Sequence, residues 1–206
     1  MSEQLTAEKR KLILDAAQSR FARYGLSKVT MDEIAQDIGM GKASLYYYFP
    51  TKESIFQEVI GREQDHFLER IRALFQNPMS SDAKLHLYME KRAVYLKELL
   101  NLSAINSNSF CQLKPLYSDL FKEFAHHELI MITQILKEGE AAGEFQIADI
   151  SKTAEVILHM LRGLRFYYMK TKDNNSLEAQ DYDLFATEMA FLTDIILYGI
   201  KNPNLK

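Results

Sequence analysis

Cysteine occurs once in this 206-residue chain, at Cys111, and tryptophan not at all. A single thiol excludes an internal disulfide, which fits a reducing, cytoplasmic setting. Cys111 reads as a small buried residue, with redox sensing as the other reading. Proline (four) and glycine (eight) are scarce. Runs of alternating β-branched residues are absent, which argues against a sheet. No apolar stretch reaches the roughly 18 residues of a membrane span before meeting charge. Glu3, Glu8, Lys9, Arg10 and Lys11 leave no apolar centre for a signal peptide near the N-terminus. Base does not exceed acid: the net charge is -3, so bulk charge would not draw the chain to nucleic acid.

Charge is unevenly spread, however. Residues 1–52 hold eight basic and six acidic side chains, the remainder 17 and 22. From Ile38 to Lys52 there are two lysines and no acid, and local charge is what meets phosphates. Apolar residues recur at spacings of three and four almost throughout, so the expected fold is all-α. The first helix is expected over Thr6 to Tyr24, with Thr6 as its cap and Gly25 closing it. Thr30 starts a second, with Glu33 completing a capping box, and it ends at Gly39. A third spans Lys42 to Tyr48, stopped by Pro50. Thr51 caps a fourth that runs to about 76. Further helices are expected near 83–100, 115–142, 151–170 and 182–201, with loops at 77–81, 101–109 and 173–180.

Residues 30–52 carry the most information. Two short helices joined by a glycine-bearing turn form a helix-turn-helix, whose second helix docks in the DNA major groove. Ala35 is small where the helices must cross. Gly39 tolerates the positive φ of the turn. Ile34, Ile38, Met40 and Leu45 face a shared core. The bland alternative is an ordinary helical hairpin.

Thr30, Ile34, Ala35, Gly39, Ser44, Leu45, Tyr46, Tyr47, Tyr48, Phe49 and Lys52 stand in a pattern that resembles the DNA-binding domain of TetR-family transcriptional regulators, over residues 6–60. The resemblance implies an N-terminal three-helix helix-turn-helix domain (1–52) and a C-terminal helical ligand-binding and dimerisation domain (53–206), connected by the helix from 51 to about 76. It also implies a ligand-responsive repressor acting on a double-stranded DNA operator as a homodimer. Lys42, Ala43 and Ser44 open the recognition helix and lie nearest the bases: Lys42 can donate to guanine, and the Ala43 methyl can touch thymine. Tyr47 and Tyr48 would meet phosphates or thymine. Tyr46 divides between contact and packing. Thr30 and Lys52 begin helices and are placed to hold phosphates.

The body is rich in methionine and aromatics. Met89, Tyr95, Phe110, Tyr117, Phe121, Met131, Met160, Phe166 and Tyr167 read either as core or as the lining of an apolar small-molecule effector pocket. Arg162 and Arg165 sit in an apolar helix, where each could hold a carboxylate or snorkel to solvent. The last two helices carry apolar stripes. Val156, Ile157, Leu161 and Leu164, with Met189, Leu192 and Ile196, are expected at a dimer interface; the alternative is a bundle closed within one chain.

Other motifs fail. Gly39, Gly41 and Lys42 suggest a phosphate loop, but Gln36 and Ala43 break its pattern. His126, His127 and Glu128 suggest a zinc-protease helix, but Met131 stands where the second histidine belongs. Glu123 with His127 gives too few ligands for a metal site. No catalytic grouping, cofactor or metal is called for. A helical small-molecule carrier or sensor without DNA binding is the alternative function; it would have no need of the acid-free recognition segment.

Overall fold

The computed structural model describes residues 2–98, 114–171 and 179–204. Within them the regular elements are helices: α1 (Ser2–Tyr24), α2 (Met31–Asp37), α3 (Lys42–Tyr48), α4 (Lys52–Leu74), α5 (Ser81–Glu98), α6 (Lys114–Ala141), α7 (Ile150–Thr171) and α8 (Ala179–Ile200). A short 3-10 turn, Leu26–Lys28, lies between α1 and α2. Among the described residues no helix is long and apolar enough to cross a membrane. Helix α1 begins at Ser2, not at Thr6. The segment 101–109, Phe110 and Cys111 lie outside the described residues, as does most of 173–180.

Local chemistry fixes the first four helices. Thr30 Oγ1 accepts from the Glu33 amide at 3.3 Å, and the Glu33 carboxylate accepts from the Thr30 amide at 2.8 Å. This capping box satisfies two otherwise orphaned donors of α2. Gly39 takes φ 62°, which a side chain would resist. Phe49 leaves helical geometry ahead of Pro50, with φ -139° and ψ 118°. Thr51 caps α4 through the Ser54 amide.

One core runs the length of the molecule, and α4 joins its two ends. Ile55, Phe56, Val59 and Ile60 of α4 are buried with Ile13, Ala17, Phe21, Ile34 and Leu45. Phe56 meets Phe21 edge-on at 5.3 Å. About three turns further along, Phe67 packs 4.2 Å from the Tyr95 ring and 6.0 Å from that of Phe124. Helix α4 therefore belongs to both halves. Its N-terminal half holds the helix-turn-helix, and its C-terminal half lies against α5 and α6.

The far end of the body is tied by backbone. The Glu144 carboxylate accepts from the amides of Ser81 and Asp82, each at 3.1 Å, and so caps α5. Gln146 N donates to Ile200 O at 2.8 Å and Asn202 N to Glu144 O at 2.9 Å. Gly139 leaves room for the Phe145 ring beneath α6.

Candidate nucleic-acid interface and effector cavity

Helix α3 turns one face inward and the other to solvent. Leu45 is fully buried and Phe49 nearly so. Lys42, Ala43, Ser44, Tyr46 and Tyr47 are exposed, Tyr47 at 83%. An open notch beside them is lined by Ile38, Gly39, Met40, Ala43, Ser44, Tyr47 and Tyr48, with Lys9 and Leu12 of α1. Lys9 is an addition that sequence periodicity did not flag. It stands 33 residues from Lys42 in the chain, and only the fold sets it beside the recognition helix. Tyr48 is half-buried, stacked edge-on against Tyr47 at 5.4 Å. Arg10 locks the base of this unit, donating to Tyr48 O and Glu58 and standing over the Phe49 ring.

Lys42 Nζ lies 2.8 Å from Asp32 Oδ2, and this bond holds the ammonium pKa above its ordinary value. The pair is exposed, so the lysine can exchange partners at little cost. Thr30 is exposed at the start of α2 with its hydroxyl engaged by Glu33. Lys52 corrects the expectation. Its ammonium donates to the carbonyls of Leu26 at 2.9 Å, Val29 at 3.0 Å and Ser27 at 3.4 Å. All three donors are used to tie the 3-10 turn and Val29 after it to α4, so the side chain is structural and not free for phosphate.

A cavity of about 330 Å³ opens among α5, α6 and α7, within the usual range for small-molecule pockets. Its walls are Phe121, Phe124 and Phe166, and its polar groups are Arg92, Arg162, Arg165 and Glu128. Arg92 and Glu128 are buried and paired, Nε to Oε1 at 2.5 Å. Tyr88 Oη donates to the same carboxylate oxygen at 2.6 Å. Burial, reinforced by the Glu128 charge, holds the Tyr88 phenol protonated, with its pKa well above the ordinary value. Arg165 stacks over Phe121 at 4.6 Å. Burial first, then the Arg92 charge, push its pKa down to about 10, so it remains cationic at neutral pH.

Of the nine residues expected to line a pocket, Phe121 and Phe166 do so. Tyr95 is a buried neighbour, its ring 5.5 Å from the Arg92 guanidinium. Met89 is sealed in the core, 1% exposed, and Met131 packs against that core. Met160 and Tyr167 face outward. Phe110 and the side chain of Tyr117 lie outside the described residues. A helix with apolar residues on several faces gives no periodic signal for which face meets the cavity, and this caused the misplacements.

Residues 13–59 match the family model described as bacterial regulatory proteins, tetR family. A crystal structure of a transcriptional regulator from Cytophaga hutchinsonii is 37% identical, covers 94% of this chain and 98% of that one, and superposes with a TM-score of 0.85. The chain belongs to the TetR family of regulatory proteins. Among curated relatives, the HTH-type transcriptional repressor BepR of Brucella suis is 28% identical over 165 residues, 76% of this chain and 78% of its own. The fatty acid metabolism regulator protein of Bacillus subtilis is 24% identical over 191 residues, 92% and 94% of the two chains. The Brucella and Cytophaga proteins are named regulators of transcription, so neither an enzyme nor a DNA-independent carrier is the reading that stands.

The apolar stripes of α7 and α8 divide differently in this TetR-family chain from the expected interface. Ile157, Leu161 and Met189 are 1%, 4% and 1% exposed. A side chain already buried in one chain has no surface to give a partner, so these three belong to the core. Leu164, Leu192 and Ile196 are half-buried, and Val156 is exposed. The apolar side chains left open are Val156, Met160 and Tyr167 on α7, and Leu184, Phe191, Ile195 and Tyr198 on α8.

Proposed function

We propose that this protein is a homodimeric, ligand-released repressor that reads a DNA operator through α3. The exposed, acid-free face of α3 carries the proposal: Lys42, Ala43, Ser44, Tyr46 and Tyr47 all stand open to solvent there. Lys42 and Ser44 would reach base edges, the Ala43 methyl would touch a thymine methyl, and Tyr47 with Tyr48 would hold phosphate. Tyr46 is a lateral contact. Lys9 would add a phosphate contact from α1. Thr30 contributes from the start of α2.

One such unit reads one half-site, and a two-fold pair reads two about 34–36 Å apart. The open apolar residues of α7 and α8 favour that pairing, since contiguous exposed apolar surface is costly unless covered. The working division of the chain is 1–52 for DNA and 53–206 for effector and partner, in a cytoplasmic protein. BepR is named a repressor, and the same sign is proposed here.

Coupling would run through α4. Arg92 and Phe124 at the cavity touch one another, Phe124 and Tyr95 pack on Phe67, and α4 carries Phe67 to Phe56 and the helix-turn-helix. A guest that fits only one setting of α4 shifts the spacing between recognition helices by its differential affinity.

The test is salt-dependent binding to DNA from upstream of the protein's own coding region, against scrambled DNA of equal length. About a thousandfold preference is expected, with Lys42→Ala costing about 1–3 kcal/mol and relaxing base preference. Equal, weak and steeply salt-sensitive binding to both DNAs, unchanged in Lys42→Ala, refutes the assignment.

A further inference from the structure

The cavity among α5, α6 and α7 has a charge imbalance. Among the described residues, three guanidinium groups, Arg92, Arg162 and Arg165, line it against one carboxylate, Glu128. That carboxylate is already committed. It accepts from Tyr88 at 2.6 Å and from Arg92 Nε and Nη2 at 2.5 and 3.5 Å. Arg92 is 5% exposed and still has Nη1 buried without a hydrogen-bond partner. Tyr95 Oη beside it is likewise buried and unpartnered. Among the described residues no carboxylate lies within ion-pair distance of Arg165, whose guanidinium instead covers the Phe121 ring.

A buried cation without a counter-charge is costly, and folding proteins neutralise or pair it. Here the unpaired donors line a cavity whose remaining walls are phenylalanine. That combination is a socket for an anion with an apolar body. Guanidinium is the side chain suited to a planar carboxylate, because its fork gives two parallel bonds.

We infer that the cavity binds an organic monocarboxylate, its head against Arg92 and Arg165 and its apolar body against Phe121, Phe124 and Phe166. This rests on the effector-cavity reading above and gives it a chemical class. Arg162, exposed at the rim, steers the anion inward.

The experiment uses the full chain and two kinds of probe. Octanoate, decanoate and phenylacetate are titrated alongside decanol and decylamine, all below their aggregation thresholds. Binding is followed by calorimetry and by tyrosine fluorescence, which has no tryptophan background in this chain. At least one carboxylate is expected to bind about tenfold or more tighter than decanol, with decylamine weaker still. Arg165→Met is expected to erase that preference while leaving decanol affinity unchanged, and Arg165→Lys to restore part of it. Should decanol match every carboxylate, should no carboxylate bind, or should Arg165→Met weaken decanol equally, the carboxylate assignment falls. The wild-type panel decides this even if a variant folds poorly. DNA binding is then measured with the tightest carboxylate present. Carboxylate binding that leaves DNA affinity untouched upholds the site and overturns only the ligand-released repressor.

Discussion

Glu128→Gln is the substitution that probes the cavity and the core together. The wild-type carboxylate is buried between Arg92 and Tyr88, 2% exposed, with Arg92 at 6%. The amide keeps the size and one acceptor but removes the one negative charge that, among the described residues, lines the cavity with three guanidinium groups. Breaking a buried ion pair from one side costs about 3–5 kcal/mol, because the remaining charge stays desolvated. The retained acceptor puts this case near the lower end, about 3 kcal/mol. For a chain of this size that is a fall in Tm of roughly 6–12 °C, read at fixed protein concentration because dimerisation also raises Tm. The same change leaves the cavity more positive, so a bound carboxylate should recover more stability in the variant than in the wild type. At a hundredfold excess over Kd, mass action alone contributes about 2.7 kcal/mol. The assay is thermal denaturation with and without decanoate, supported by chemical denaturation to check that the m-value is unchanged. The double variant Arg92→Met with Glu128→Leu should be more stable than Glu128→Gln, since it leaves no uncompensated charge from the pair. A loss below about 1 kcal/mol in Glu128→Gln would mean that Arg92 reaches solvent or another partner, and the reasoning about a starved cationic socket would collapse.

Three further outcomes are expected. Gly139→Ala would drive its methyl into the Phe145 ring edge and to 2.9 Å from Ser81 Cβ; despite the better helix propensity, a net loss of about 1–3 kcal/mol should appear in urea melts. Ile195→Glu, at a side chain 52% exposed, should leave monomer helicity intact by circular dichroism. It should shift the mass by light scattering to one chain; an unchanged dimer would put the interface elsewhere. Arg20 donates to both Asp37 oxygens, and this bond holds the Asp37 pKa below its ordinary 3.8. The stabilisation is therefore fully present above pH 3.8 and lost as pH falls through the lower native value. Wild type should exceed Asp37→Asn by about 0.5 kcal/mol at pH 6, the pair being partly exposed, and the gap should close in acid.

Where the chain signals locally, the sequence was readable. Thr30 with Glu33, Gly39, Pro50 and Thr51 each act within three or four residues, and the ends of α2, α3 and α4 fall within about two residues of where those signals put them. The capping box of α2 is present as expected, and α3 turns Leu45 inward as its spacing requires. Helix α1 departs because its first turn carries few apolar residues, and a capping threonine at position 6 can equally sit inside a helix. What failed was assignment of direction on helices with more than one apolar face. Ile157 and Val156 are adjacent and chemically alike, yet one is sealed in the core and the other 43% exposed. Only the packing of α7 on α6 and α8 separates them.

The cavity was the least legible feature because its chemistry is assembled from distant positions. Arg92 and Glu128 stand 36 residues apart, and neither carries a local motif. Read singly, Arg165 in an apolar helix could hold a carboxylate or extend its charge to water. Arg92 drew no reading of its own, and Glu128 entered only through the failed zinc-protease pattern of His126, His127 and Glu128. The fold chooses between the two readings for Arg165 by setting it at the cavity wall with α5 and α6. Lys52 is the mirror case. Its position at a helix start is right for a phosphate contact, but the carbonyls of Leu26, Ser27 and Val29 claim the ammonium. In both, the deciding quantity is how many donors remain after the protein's own acceptors have been counted. Lys52 has none to spare, so its role is structural. Arg92 and Arg165 have donors to spare at the wall of one cavity, and an anionic guest is what that surplus calls for.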